Sequence, residues 1–321
     1  MNPITVLDLI YDDPYYAFVG TPIANKDGHI YSRLKGNVRS ASSFYYRIED
    51  GRKFYYRQSC YVYDEQGQLR HTEASDRDGV LSQCTSYFYD DNDRCVELIA
   101  FDSKGVRTER YVFKYNEKNL LSTTDWFDEK GSCGQKVYIY DERGFIIEER
   151  WDSRSQEHKW KKLYKNNEHG DWVEVNEYKG QYGRSDYWYA GKNIKKYDEN
   201  NRLIEHIFVD NSGKEQKLSI DEYDEKGRCI KMRNSKHTIT YDTHNRFKEA
   251  RNSKGDLVIR VLYNDDTSLQ ILWFCKEGQI LEKRRDVFFD NHGNVNKILD
   301  YEGENLDLVQ DAVFHYEYYP E

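Results

Sequence analysis

The sequence predicts an all-β fold, in which tandem β-hairpin repeats form a large curved antiparallel meander with the shape of an open shell or half-barrel. Three observations support this prediction: an abundance of tyrosine, a short aromatic phrase that recurs along the chain, and turn residues at regular positions between its copies. Tyr accounts for 29 of the 321 residues, whereas hydrophobic residues together reach only 38%. Tyrosine must therefore supply much of the core, and it is a residue that favours pleated sheets.

The recurring phrase is an aromatic residue, any residue, a second aromatic residue, and then Asp or Asn. Clear copies occupy residues 61–64, 87–90, 113–116 and 138–141, and looser copies end at Tyr164, Tyr197, Tyr223, Tyr241, Tyr263 and Phe289. The Asp-equivalent positions 64, 90, 116, 141 and 165 are 26, 26, 25 and 24 residues apart. Because residues i and i+2 share one face of a strand but diverge on a helix, the phrase predicts strands.

A second turn follows the first inside each unit. Asp64 and Gly67 bound the first turn, and Asp76 and Gly79 bound the second, 12 residues later. Asp at the first position and Gly at the fourth are typical of a type I turn, because the carboxylate accepts local N–H groups and Gly adopts the left-handed conformation. Each unit is therefore predicted to be strand, tight turn, strand, tight turn. A sheet of roughly twenty such strands must curl or split into two sheets, because the strand twist accumulates across a large open sheet.

The spacing of the phrase also suggests a domain organisation. We predict an N-terminal cap over residues 1–43, because repeat arrays need a cap at their ends, and a repeat domain over residues 44–319. The interval from Lys165 to Asp198 is 33 residues, which predicts an irregular insertion at about residues 166–196.

Charge and the N-terminal sequence restrict the partners and the compartment. The net charge of −9 argues against a nucleic acid ligand and favours a basic protein partner. A requirement for solubility explains the same charge without any partner. Asp8 comes too early for the apolar segment of a signal peptide, and no stretch approaches the ~18 apolar residues of a membrane-spanning helix. We therefore expect a cytoplasmic protein with reduced cysteines and no membrane contact. Its oligomeric state stays open.

The segment Tyr63-Asp64-Glu65-Gln66-Gly67-Gln68-Leu69 resembles the YD repeat of the Rhs family of bacterial polymorphic-toxin proteins. Residues 140–146 and 223–230 are similar to it, and the resemblance covers approximately residues 44–319. In that family, long YD-repeat chains wind a β-shell around a C-terminal toxin domain. This chain has fewer repeat units than those proteins and no Pro from 23 to 319. We expect no toxin domain after the strand-like residues 314–319. The resemblance therefore implies a stand-alone relative, such as the acidic immunity protein of a toxin system.

Aromatic residues concentrate where the repeat is irregular. The candidate partner-binding residues there are Trp160, Trp172, Tyr178, Tyr182, Tyr187, Trp188 and Tyr189. Trp, Tyr and Arg dominate binding hot spots, and insertions in repeat proteins often lie on the binding face. A longer hairpin whose aromatics pack on the sheet explains the same pattern. A second candidate, Asp12, Asp13, Tyr15 and Tyr16, lies outside the repeats and serves equally well as part of the cap.

No catalytic or cofactor motif is present in the sequence, so we expect no enzyme activity and no cofactor. The nine histidines form no close pair with metal-ligand spacing, and the acidic turns do not continue into the ligand pattern of a calcium loop. We therefore expect no metal site.

The sequence thus favours a cytosolic protein-binding module. The most concrete interpretation is an immunity protein that neutralises a cognate, basic Rhs-type toxin domain by sterically occluding its active site. The alternative is a carbohydrate- or cell-wall-binding YD-repeat protein, since tyrosine-lined β-surfaces can stack on sugar rings.

Overall fold

The computed structural model describes residues 37–153, 158–220, 222–231, 237–244, 246–264, 267–275, 280–292, 294–303 and 305–319. These residues form 23 strands and no helix, and paired strands run antiparallel. The predicted all-β fold of tandem antiparallel hairpins is confirmed. The strands, in chain order, are β1 (Val38–Glu49), β2 (Arg52–Tyr63), β3 (Leu69–Ser75), β4 (Leu81–Tyr89), β5 (Cys95–Asp102), β6 (Arg107–Tyr115), β7 (Leu121–Asp128), β8 (Gly131–Tyr140), β9 (Ile146–Ser153), β10 (His158–Asn166), β11 (Trp172–Gln181), β12 (Trp188–Tyr197), β13 (Leu203–Asp210), β14 (Glu215–Ile220), β15 (Glu222–Tyr223), β16 (Cys229–Lys231), β17 (Thr238–Tyr241), β18 (Phe247–Arg251), β19 (Leu257–Asn264), β20 (Ser268–Cys275), β21 (Ile280–Phe289), β22 (Val295–Glu302) and β23 (Asp307–Tyr318).

The first of two compact units comprises Met1–Cys95, Ile99–Val106 and His237–Glu321. Strands β1 to β4 pair in sequence order, as do β17 to β23. The two runs meet because β1 also pairs with β23, so that Ala41 lies opposite Tyr316. The cap boundary predicted at residue 43 therefore falls inside β1, a strand that is paired on both sides.

The second unit comprises Val96–Leu98 and Arg107–Lys236. Strands β6 to β14 pair one after another, and β15 pairs with β16 as a separate hairpin. This unit contains the aromatic-rich interval that the sequence marks as irregular.

The Asp of each phrase holds its turn as the sequence predicts. Asp224 Oδ1 accepts the backbone N–H groups of Lys226 and Arg228 at 3.0 and 2.9 Å, and Gly227 adopts φ +78°. The Arg228 guanidinium donates to Oδ2 of the same carboxylate at 2.7 Å and is the main cause of the lowered pKa of Asp224. Three further units have this Asp–Arg pair four residues apart: Asp90–Arg94, Asp198–Arg202 and Asp242–Arg246.

At six places in the described part of the chain, a tyrosine hydroxyl group joins one repeat unit to the preceding repeat unit. The hydroxyl donates to the carbonyl oxygen of the first residue of an earlier strand, at distances of 2.5–3.2 Å. The pairs are Tyr89–Leu69, Tyr140–Leu121, Tyr197–Trp172, Tyr223–Leu203, Tyr263–Phe247 and Tyr316–Val295. Burial raises the pKa of Tyr263 to about 12, so its hydroxyl remains a donor at neutral pH. This contact explains why Tyr is the usual residue at the second aromatic position of the phrase, where Phe289 is an exception.

Arginine side chains add a second connection between neighbouring repeat units. The Arg246 guanidinium lies 3.9 Å from the ring centroid of Tyr263, and Arg202 lies 4.9 Å from that of Tyr223. Each of these arginines also pairs with the Asp of its own turn, so one side chain joins a turn to the tyrosine of the next unit.

The interval predicted to be irregular, at about residues 166–196, consists mainly of paired strands and not of a long insertion outside the sheet. Its first turn begins at Asn167, two residues after the Asp-equivalent position predicted at Lys165. Asn167 Oδ1 accepts the backbone N–H groups of His169 and Asp171. At the preceding strand end, Asn166 replaces the usual Tyr and donates its side-chain N–H to the Ile146 carbonyl at 2.8 Å. Strands β11 and β12 follow, and the extra length lies in the loop 182–187 between them.

Candidate functional site

The two units differ in how far they cover the sheet face that carries the recurring aromatics. In the first unit Tyr61, Tyr63 and Tyr87 are only 5%, 8% and 7% exposed. In the second unit Tyr138, at the position equivalent to Tyr61 and Tyr87, is half-buried. Tyr140 is also half-buried, as is its first-unit counterpart Tyr89. Aromatic side chains of the second unit are therefore accessible on a face that is core in the first.

Three tryptophans line a groove on this face of the second unit, which we call the tryptophan groove. Trp151 and Trp160 are cross-strand partners on β9 and β10, with ring centroids 6.0 Å apart. Lys179 on β11 lies opposite both Trp160 and Trp188, so all of these side chains share one face. The groove has a volume of about 480 Å³, and Trp188 at its edge is 53% exposed.

Lysines surround the groove. Lys136 and Lys162 lie 5.5 and 5.4 Å from the Trp160 ring centroid. Each also pairs with a glutamate, Lys136 with Glu149 at 3.5 Å and Lys162 with Glu177 at 3.4 Å. Each of these ammonium groups therefore lies between the Trp160 ring and a glutamate carboxylate. The expectation of a basic partner rests on the net charge of the whole chain, whereas the groove itself presents lysines beside its aromatic surface.

Tyr164 follows Lys162 by two residues on β10, so its side chain lies on the same face as the groove. Desolvation raises its pKa above the ordinary value, and the negative charge of Glu149 together with a hydrogen bond to that carboxylate raises it further. Tyr164 is therefore a neutral structural side chain at physiological pH rather than a proton-transfer group.

Four of the predicted residues lie on the opposite face. Tyr178 and Tyr189 form an edge-to-face pair with centroids 5.6 Å apart, across β11 and β12. Tyr182 and Tyr187 belong to the loop 182–187 and line a second depression of about 410 Å³, which we call the loop cleft. Lys159 lines both depressions and Tyr178 also lines the tryptophan groove, so the two depressions lie back to back on the two faces of β10 and β11.

Trp172 belongs to neither depression. It occupies the strand-start position that Leu69 and Leu121 hold in other units, and its carbonyl accepts the Tyr197 hydroxyl. Its ring contacts His206 edge-to-face at 5.6 Å, and the Lys195 ammonium lies 4.0 Å from the ring centroid. Packing in the repeat accounts for this residue. The predicted residues Asp12, Asp13, Tyr15 and Tyr16 lie outside the described residues.

Sequence reasoning did not single out Trp151. The signal was present, because Trp151 and Trp160 are placed symmetrically about the connection between β9 and β10. Two residues equidistant from a hairpin turn are cross-strand partners, so the pair can be read from the sequence once that turn is located.

Two further properties concern the part of the chain that the structure describes. Within it, no group of three or more His, Cys, Asp or Glu side chains is arranged to hold a metal ion. The same residues include no helix of the length and apolar character needed to cross a membrane.

No protein family model and no curated protein sequence matches the chain. Among solved structures, it is similar to the complex TcdB2–TccC3–Cdc42 (TM-score 0.37, 12% identity, 90% of this chain and 18% of that chain). It is also similar to the Tc holotoxin pore of Photorhabdus luminescens (TM-score 0.37, 12% identity, 92% and 18%). A porin-like protein from Bacteroides uniformis matches at a TM-score of 0.30 and 10% identity, over 88% of this chain and 99% of that one.

The chain spans less than a fifth of the length of the Tc toxin chains that it matches. At TM-scores below 0.5, these similarities assign it neither a family nor a function.

Proposed function

We propose that this chain is a protein-binding module that engages its partner through the tryptophan groove. The observation that supports the proposal is the exposure of Trp188 beside Trp151 and Trp160, on a face whose equivalent in the first unit is buried. Exposed aromatic clusters of this kind are typical of binding surfaces, and Trp is the residue most enriched in hot spots.

The lysines define what the partner presents. Lys136 pairs with Glu149, Lys162 pairs with Glu177, and Lys179 is exposed. A partner segment with an apolar side chain between the tryptophans and carboxylates or backbone carbonyls at the rim would satisfy both features. Long-range attraction from the net charge of −9 would favour a partner that is basic elsewhere on its surface.

The resemblance to YD repeats motivates the more specific proposal that the partner is a toxin domain of an Rhs-type system. In this proposal the chain is the cytoplasmic immunity protein, and it neutralises the toxin by covering its active site. The mechanism is steric and requires no chemistry from the chain itself. Its aromatic surface supplies the affinity because desolvated tryptophans at the centre of an interface contribute most of the binding free energy.

Co-expression with the product of the adjacent gene, followed by pull-down and calorimetry, tests both levels of the proposal. We expect Trp188→Ala to weaken binding by about 30-fold, which corresponds to a hot-spot loss of about 2 kcal/mol. Phe88→Ala is the matched control, because Phe88 is a strand aromatic of the first unit that is 44% exposed, and it should bind as the wild type does.

A wild-type chain that binds no adjacent toxin would refute the immunity proposal. Equal binding by Trp188→Ala and Phe88→Ala would refute the assignment of the groove, even if a complex forms.

Carbohydrate binding is the second candidate function. The tilted pair Trp151–Trp160, with an interplanar angle of 50°, offers aromatic faces beside lysine and glutamate groups that could bind sugar hydroxyls. A glycan array distinguishes the two functions, since glycan binding that is lost in Trp160→Ala without any protein partner would favour this alternative.

A further inference from the structure

The loop cleft lies on the face of the second unit opposite the tryptophan groove. The loop 182–187 folds back over β8, β9 and β10, and the cleft beneath it is lined by Gln135, Asp152, Lys159, Tyr182, Arg184 and Tyr187, among others. Its volume of about 410 Å³ is within the range of small-molecule sites.

A buried ammonium group lies in this cleft. Lys159 is only 5% exposed, which is unusual for lysine. Its Nζ donates to the Arg184 carbonyl oxygen and lies 4.1 Å from the centroid of the Tyr187 ring. No described carboxylate forms an ion pair with it. A buried charge that has a carbonyl and a ring face as partners, but no counterion, is incompletely compensated.

The sheet makes room for this lysine at a specific position. Gly180 lies opposite Lys159 on β11, and a Cβ atom there would lie 2.4 Å from the Lys159 side chain and 2.8 Å from the Asp186 carbonyl oxygen. A larger residue would expel the lysine from the cleft. The glycine, the loop and the Tyr187 ring therefore hold the ammonium group in place before any ligand arrives, which lowers the entropic cost of binding.

We propose that the loop cleft binds a small organic molecule with a single carboxylate, whose charge pairs with Lys159. Arg184 at the rim adds a second positive charge, and the rings of Tyr182 and Tyr187 suit an apolar body next to the carboxylate. Asp152, the cross-strand partner of Lys159, also lines the cleft. Its negative charge disfavours a dianion such as sulfate more strongly than a monoanion. This inference is independent of the proposed protein partner.

Thermal unfolding in the presence of matched probes tests the proposal. Benzoate, neutral benzamide and inorganic sulfate are each titrated against the intact chain, with chloride added to hold the ionic strength constant. We expect benzoate to raise the Tm by about 3–6 °C at a concentration tenfold above its Kd, and the other two probes to have no comparable effect.

Lys159→Met identifies the group responsible. The variant should lose the benzoate shift while its ligand-free Tm stays at or above that of the wild type, because an apolar side chain of similar length replaces an uncompensated charge. Lys165→Met, an exposed lysine six residues further along β10, should keep the full shift. Lys159→Gln serves as a second variant if Lys159→Met fails to fold.

Four outcomes would overturn the proposal. Absence of any benzoate shift in the wild type would show that the cleft does not bind this class of ligand. An equal shift with benzamide would show that charge is not recognised, and a larger shift with sulfate would contradict the preference for a monoanion. A lower ligand-free Tm in both Lys159 variants, together with an unchanged benzoate shift, would make Lys159 purely structural.

Discussion

Removing a single hydroxyl group tests how the repeat units are joined. In Tyr89→Phe, the ring stays in place while the hydrogen bond to the Leu69 carbonyl, 2.8 Å long, is lost. Leu69 is 4% exposed, so water replaces the lost donor poorly. Leaving a buried acceptor without a partner costs about 1–3 kcal/mol, and a unit of this size loses about 2–4 °C in Tm per kcal/mol. We therefore expect the Tm to fall by about 2–12 °C.

Urea unfolding followed by far-UV circular dichroism measures the free energy directly. Tyr189→Phe is the control, because Tyr189 is 36% exposed and contributes through its ring contact with Tyr178. It should change the free energy of unfolding by no more than about 0.5 kcal/mol. Tyr263→Phe, whose hydroxyl donates to Phe247 at 2.9 Å, should repeat the loss seen for Tyr89→Phe. If Tyr89→Phe is as stable as the Tyr189 control, the hydroxyl contact is not what joins the units.

Two other predictions concern backbone space and buried charge. Gly170 and Gly213 both have φ +86°, but a Cβ on Gly170 would lie 2.4 Å from the Phe145 ring, whereas Gly213 faces open space. Gly213→Ala should therefore cost about 1–2 kcal/mol and Gly170→Ala clearly more, as measured by urea unfolding; equal losses would show that Phe145 moves aside freely. Arg285→Met should destabilise the chain by about 3–5 kcal/mol, because it leaves Asp300, bound at 2.6 and 2.8 Å, as an unpaired buried charge. The double variant Arg285→Met/Asp300→Leu should recover most of this loss in the same assay, and no recovery would contradict the explanation.

The turn positions were predictable from the sequence because their causes are local. Asp64, Asp90 and Asp224 each bond to N–H groups two and four residues further along the chain, so the residue types alone indicate the geometry. The phrase was misplaced at residue 165, where Asn166 performs the bonding role of tyrosine with an amide group. Pattern matching based on aromatic residues cannot detect a substitution that preserves the hydrogen bond and loses the ring.

The candidate site was predictable in composition but not in arrangement. The aromatic concentration around residues 160–189 does correspond to two depressions in the second unit. The sequence suggested a single cluster, whereas the strand register directs Trp160 and Trp188 to one face and Tyr189 to the other. Tyr182 and Tyr187 line the loop cleft, and Tyr178 also lines the tryptophan groove. The separation depends on strand register, and a shift of one residue would exchange the faces.

The sequence by itself determined the strand-and-turn period, the chemistry of each turn and the need for tyrosine in the core, because these depend on contacts between residues close in the chain or one repeat apart. Tertiary structure alone decided that β1 pairs with β23, where Ser40 donates to Glu317 across 277 residues. It also decided which unit leaves its aromatic face accessible. These outcomes depend on contacts between distant segments, whose energies are not encoded in any local pattern of residues.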